Sequence, residues 1–171
     1  MEQQYVSYIR EQLHAVLGID SPSGCTEDIQ QYLCDTLRAM GYAPRRLVKG
    51  GVHVTLGGEG EPLTLLAHAD TLGAVVQYIK PNGRLAISNM TLNVHNAEAE
   101  NVKVITRFNG AYEGTLQLCN ASVHVNPDPN QARDLNKNME IVLDYDVKTK
   151  EDVEKMGILP GDAIALEPRL R

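Results

Sequence analysis

The sequence predicts an α/β segment followed by a small β-barrel or sandwich, with the boundary near residue 72. Three observations carry this expectation. Apolar residues recur at helical spacing through the first ~40 positions. A nearly continuous apolar run at 63–67 then has the character of a strand buried on both faces. Beyond residue 72, short strand-like runs alternate with turn residues, as in a compact all-β module.

The elements follow in order. Tyr5, Ile9, Leu13 and Val16 or Leu17 share one face of a first helix, which Gly18 can end. Ser21-Pro22-Ser23-Gly24 has loop composition. A second helix starts near Thr26, a residue type that caps helices, with Glu27 and Asp28 suited to its positive first turn. Ile29, Leu33, Leu37 and Met40 form its apolar stripe, and Gly41 suits the position just past its end. Val52, Val54 and Leu56 alternate with polar residues as a half-exposed strand does, and the glycine-rich 57–62 is a turn.

In the second part, strands are expected at 74–80 and 84–88, joined through Pro81-Asn82-Gly83, and at 102–108 and 112–118, joined through Asn109-Gly110. Further strands are expected at 122–125, 140–146 and 164–166. One short helix lies among them, with Thr149 as its cap, Glu151 and Asp152 in its first turn and Gly157 at its end. A three-stranded α/β piece is a small sheet for independent stability, so it either packs on the β module or finds its missing strands in a longer chain.

Composition narrows the function. The 171 residues hold 16 Lys and Arg against 22 Asp and Glu, a formal charge of −6, with 43% hydrophobic residues. That is the make-up of a folded domain. An acidic chain without a basic run lacks the footprint for nucleic acid, and with no Trp and one Phe it lacks a base-stacking platform. No apolar stretch is long enough to span a membrane. The N-terminus has no basic region followed by an apolar one, so a cytoplasmic location is expected. Cys25, Cys34 and Cys119 form no paired motif and read as buried or half-buried free thiols.

The sharpest chemical feature is Ala67-His68-Ala69-Asp70-Thr71-Leu72-Gly73, an apolar strand running into His-x-Asp. In open α/β sheets, ligands bind beyond the carboxyl ends of strands. An imidazole there can offer one nitrogen to a metal. Asp70 can accept a hydrogen bond from the other nitrogen and so fix the tautomer. The same pair also fits a hydrogen-bonded structural histidine. Nothing else completes a metal site: His14 and His53 read as surface residues, His95 as a loop residue and His124 as part of the β module. Asp144-Tyr145-Asp146 fits a cation site, and fits better a strand end on a solvated face; no nucleophile elbow or phosphate loop is present.

Taken together, these stretches resemble the N-terminal half of the glutamyl aminopeptidase family of co-catalytic metallopeptidases, also labelled endoglucanase or cellulase homologues. The match runs through Ser21-Pro22-Ser23-Gly24, His68-Ala69-Asp70-Thr71-Leu72-Gly73, Asn101-Val102-Lys103-Val104-Ile105-Thr106, Gly114 and Ser122-Val123-His124-Val125. It continues through Glu140-Ile141-Val142-Leu143-Asp144 to Met156-Gly157-Ile158-Leu159-Pro160-Gly161-Asp162. The resemblance implies an α/β zinc-peptidase domain, represented by its N-terminal part at 1–72. A β-barrel-like dimerisation domain is then inserted at 73–166, and the return to the catalytic domain begins at 167–171. It implies two divalent metals, zinc or cobalt, with His68 as a metal ligand and Asp70 as the catalytic-site residue that orients it. It further implies a peptide substrate and a homo-oligomer formed through the β domain.

Departures accompany the match. Thr26 stands where the family often has Glu, and Thr91-Leu92 replaces a usual glycine pair, which marks a divergent member. The family's bridging Asp, catalytic Glu, remaining carboxylate ligands and last His lie after the inserted domain, beyond Arg171. The family activity is the hydrolysis of N-terminal residues from peptides. The 171-residue chain is expected to be an incomplete site and inactive alone. A non-catalytic oligomerisation module, or the product of a decayed gene, is the alternative.

Overall fold

The computed structural model describes residues 2–93, 97–108, 110–128 and 135–169. The chain divides into two compact units. One runs to Thr71 and takes up the segment from Pro168, and the other is Leu72–Glu167.

The first unit opens with α1 (Glu2–Leu17) and α2 (Glu27–Ala39). Gly41 is in the left-handed region (φ 89°) that ends α2. Its N–H donates to the Arg38 carbonyl while that of Tyr42 donates to Leu37, the paired bonds that satisfy the last carbonyls of a helix. Along the α2 stripe Ile29 is buried, Leu33 and Leu37 are half-buried and Met40 is exposed, so its cover thins toward the end of the helix. The predicted α1 stripe is not covered: Tyr5, Ile9 and Leu13 are exposed. Thr26 precedes α2 as expected, but its side chain does not cap the helix. Its hydroxyl accepts instead from Gln30 Nε2 at 2.9 Å.

The sheet in this unit has two short strands, β1 (Arg45–Arg46) and β2 (Val52–His53), paired antiparallel. β1 was not anticipated, and β2 stops well short of the expected 52–56. The larger correction concerns 63–67. This segment is neither buried nor paired in a sheet among the described residues, and Leu63, Leu65 and Leu66 are 86%, 81% and 92% exposed. Burial on both faces needs neighbouring strands, and the described residues place none beside it.

The second unit is a closed barrel. Its strands are β3 (Gly73–Ile79), β4 (Leu85–Asn89), β5 (Asn101–Thr106), β6 (Gly110–Leu118), β7 (Met139–Leu143) and β8 (Ala163–Leu166). The order around the barrel is β3-β4-β7-β6-β5-β8, and every neighbouring pair is antiparallel. Closure leaves no free sheet edge. Alternation fills the interior: Val102 and Val104 on β5, Leu116 on β6, Ile141 on β7 and Ile164 on β8 are buried in one core. The β3–β4 hairpin turns through Gly83, at φ 77°, as its sequence predicts. The β5–β6 hairpin also forms, although Asn109 of its predicted turn lies outside the described residues.

Two helices accompany the barrel, α3 (Leu135–Asn138) and α4 (Lys150–Lys155). α4 starts at Thr149, whose hydroxyl accepts from the Asp152 N–H while the Asp152 carboxylate accepts from the Thr149 N–H. This reciprocal cap satisfies two otherwise orphaned donors. Val153 of α4 and Ile158 beyond it are buried in the barrel core. α3 was not anticipated. The expected strand at 122–125 is a turn, because the Val125 and Asn126 N–H groups both donate back to the Ser122 carbonyl. Cys34 is buried and Cys25 half-buried, but Cys119 is exposed, since it falls just past the end of β6.

Candidate functional site

The His-x-Asp pair lies in the first unit, just past the apolar 63–67 segment. Two strands of backbone hold its loop in place. Pro22 pairs with Thr71 in a parallel bridge, and the Thr71 N–H donates to the Ser21 carbonyl at 2.8 Å. The buried Ser21 hydroxyl donates to the Ala69 carbonyl at 3.0 Å. The loop that sequence composition identified at 21–24 therefore serves as the seat of His68 and Asp70.

His68 Nδ1 lies 3.0 Å from the Asp70 carbonyl oxygen and 3.2 Å from Asp70 Oδ1. Both oxygens are acceptors, so Nδ1 carries the proton and donates. In the neutral ring the other nitrogen, Nε2, keeps its lone pair, on a side chain that is 86% exposed. The second Asp70 oxygen, Oδ2, accepts a hydrogen bond from the Ser23 hydroxyl. That hydrogen bond, with lesser help from Asp70's own backbone N–H and from His68, holds the Asp70 carboxyl below the usual carboxylate range. Asp70 is thus an anion braced on both oxygens, and the exposed imidazole it contacts keeps a nitrogen free. Such an arrangement can bind a metal ion or accept a proton.

The other sequence candidates do not join this pair. His14 is exposed in the last turn of α1, and His53 is exposed on β2, where its Nδ1 accepts from Arg45 Nε at 3.3 Å. His124 is exposed in the turn of the barrel unit, and His95 lies outside the described residues. Asp144 and Asp146 are exposed just past the end of β7. Among the described residues, no three His, Cys, Asp or Glu side chains come together as a metal site. His68 can supply one ligand; a two-metal centre does not fit the described residues by themselves. Sequence reasoning missed Ser23 as a member of the site. It had read the residue as part of a loop shared with the family and rejected it as a nucleophile, and 47 positions separate it from the carboxylate it contacts.

The comparisons with known proteins agree with this fold. Solved structures similar to the chain share its fold. A TET aminopeptidase from a marine-sediment Thaumarchaeota archaeon superposes with a TM-score of 0.81 at 19% identity, covering 92% of this chain and 44% of that one. The Pyrococcus horikoshii TET1 peptidase, which can assemble into a tetrahedron or a large octahedral shell, gives 0.78 at 19% identity, covering 94% and 47%. YhfE of Bacillus subtilis (strain 168), a protein designated an aminopeptidase, is 35% identical over 163 residues, 94% of this chain and 47% of its own length. The profile of the M42 glutamyl aminopeptidases matches residues 50–171, and the chain belongs to that family. It spans about half the length of the relatives it matches. No helix of the described residues is long and apolar enough to cross a membrane.

Proposed function

We propose that this chain contributes the His68 half of a metal site to a peptidase that removes N-terminal residues from peptides. The observation that carries the reading is the setting of His68: Nδ1 is tied to Asp70, and the side chain is exposed. Membership of the glutamyl aminopeptidases supplies the reaction class. In this reading the metals are two divalent ions, zinc or cobalt, and His68 Nε2 is a ligand to one of them. A metal centre of this kind polarises a carbonyl and supplies an activated water. Asp70 holds the ligand in place. The remaining ligands and the proton-transferring carboxylate come from protein beyond these 171 residues, and this chain alone does not hydrolyse peptides.

Release of p-nitroaniline from aminoacyl p-nitroanilides, with Zn²⁺ or Co²⁺ added, tests the reading. No release is expected from this chain, and metal-dependent release overturns its inactivity alone. Retention of Co²⁺ should fall in His68→Ala; equal retention removes His68 as a ligand.

A second reading concerns assembly. In it the barrel is a dimerisation module, the protein acts in the cytoplasm, and copies associate into a homo-oligomer. The exposed Phe108, Val123 and Val125 on the barrel unit favour it, as does the shell formed by the Pyrococcus horikoshii peptidase. Light scattering decides: a strictly monomeric chain removes it.

A further inference from the structure

We propose that Ser23 is a positioning residue for the candidate site, fixing the His68 tautomer through the Asp70 carboxylate. The proposal rests on the reading of His68 as a site residue. The Asp70 side chain is 39% exposed, so nothing but its partners keeps it from turning to solvent. One oxygen faces His68 Nδ1 and the other is held by the Ser23 hydroxyl. Asp70's own backbone N–H is a further partner. Of the two side-chain partners, His68 is the more exposed and can itself swing away, whereas the backbone that carries Ser23 is clasped on both sides. The bonds from Ser21 and the Pro22–Thr71 bridge lock the chain on its N-terminal side to residues 69–71. On its C-terminal side, the Cys25 N–H donates to the Pro22 carbonyl at 2.8 Å, closing a turn through Gly24 at φ 85°.

Rigidity therefore passes from the backbone clasp to the Ser23 hydroxyl, from there to Asp70, and from Asp70 to the imidazole. With the carboxylate held, His68 has two acceptors in front of Nδ1 and its lone pair is kept on Nε2. Without the hydroxyl, the carboxylate keeps only its own backbone N–H and His68 as partners, and the tautomer preference weakens. This is the role that outer partners play for ligand histidines generally.

The test is an imidazole ¹⁵N spectrum of the full 171-residue chain at alkaline pH, where ordinary imidazoles are neutral. His68→Gln identifies the His68 signals among the five histidines. The wild-type chain should show His68 protonated on Nδ1. Ser23→Thr and Ser23→Val have the same shape and differ by the hydroxyl, so a folding defect caused by the added bulk affects both alike. Ser23→Thr should keep the wild-type pattern, and Ser23→Val should lower the ratio of the Nδ1–H to the Nε2–H form by about fivefold, the worth of one ordinary hydrogen bond. Equal ratios in the two variants overturn the proposal, as does a wild-type His68 protonated on Nε2. Adding Zn²⁺ to the wild-type chain separates the two readings. A hydroxyl-dependent tautomer with no Zn²⁺ effect on Nε2 leaves the Ser23 role standing and removes the metal role of His68.

Discussion

Lys80 Nζ lies 2.6 Å from Glu140 Oε2, and that carboxylate is buried in the barrel wall with only 4% of its side chain exposed. Arg84 reaches the other oxygen of the same carboxylate. Lys80 is the residue after β3, Arg84 directly precedes β4, and Glu140 is on β7, so one anion ties the β3–β4 hairpin to the strand beside it. Glu140→Ala leaves two cations facing a buried wall without their anion. The expected loss is about 2–3 kcal/mol, below the range for fully buried pairs because both cations still reach water. Urea unfolding of the variant measures it, and an unchanged midpoint would show the triad to be dispensable.

The same carboxylate should make the barrel acid-sensitive. Burial pushes the Glu140 carboxyl up, but the hydrogen bonds and charges of Lys80 and Arg84 outweigh that and hold it below its ordinary value of 4.5. A folded pKa below the unfolded one gives stability that is complete above the unfolded value. That stability is lost as pH falls through the folded value. Urea midpoints measured from about pH 6 down to about pH 3 should therefore decline more steeply for the native sequence than for Glu140→Gln. Parallel declines would remove Glu140 as a source of the acid response.

At Gly114, on β6, a methyl group has no room. A Cβ there would sit 2.7 Å from the Val142 carbonyl oxygen and 2.9 Å from Ile141 Cγ2. Both atoms belong to β7, which is paired with β6 at this point, so the backbone itself would have to move. Gly114→Ala should cost about 1–3 kcal/mol, the range for overpacking a close-fitted interior. Differential scanning calorimetry of the variant checks this.

The exposed leucines of the first unit should be substitutable without loss. Leu65→Ser and Leu66→Ser remove apolar surface that is already in water, so the barrel's thermal transition should stay within about 0.5 kcal/mol of the native one. Self-association of the chain should fall, because an unpaired apolar extended segment is a template for pairing. A marked loss of stability would mean that the segment is packed.

Much of the barrel was legible because its signals are local. Pro81-Asn82-Gly83 specifies a hairpin whatever surrounds it, and Thr149 with Asp152 specifies a helix start within four residues. His68 and Asp70 were legible as a pair because a spacing of two lets one side chain reach the other. The misreadings required information from elsewhere in the chain. Residues 63–67 have the apolar character of a central strand, but a strand is buried by its neighbours, and none stands beside it among the described residues. Ser122-Val123-His124-Val125 alternates like a strand, yet Asn126 turns back on Ser122. Thr26 is a residue type that caps helices, and the Gln30 amide one turn on claims its hydroxyl. Ser23 meets Asp70 across 47 positions, a distance over which no local pattern speaks.

The first and last strands of the barrel, β3 and β8, are direct neighbours, with Gly73 opposite Ala165. Chain therefore arrives and departs side by side, about one inter-strand spacing of ~4.8 Å apart. To any host fold, the whole barrel is equivalent to a tight turn. Holding the two junctions together costs the host no loop-closure entropy, since the ladder between β3 and β8 already does so. Cutting the barrel out and bridging the gap with a few residues would leave the host's path unchanged, and the excised piece would keep every strand pairing it needs to close on itself.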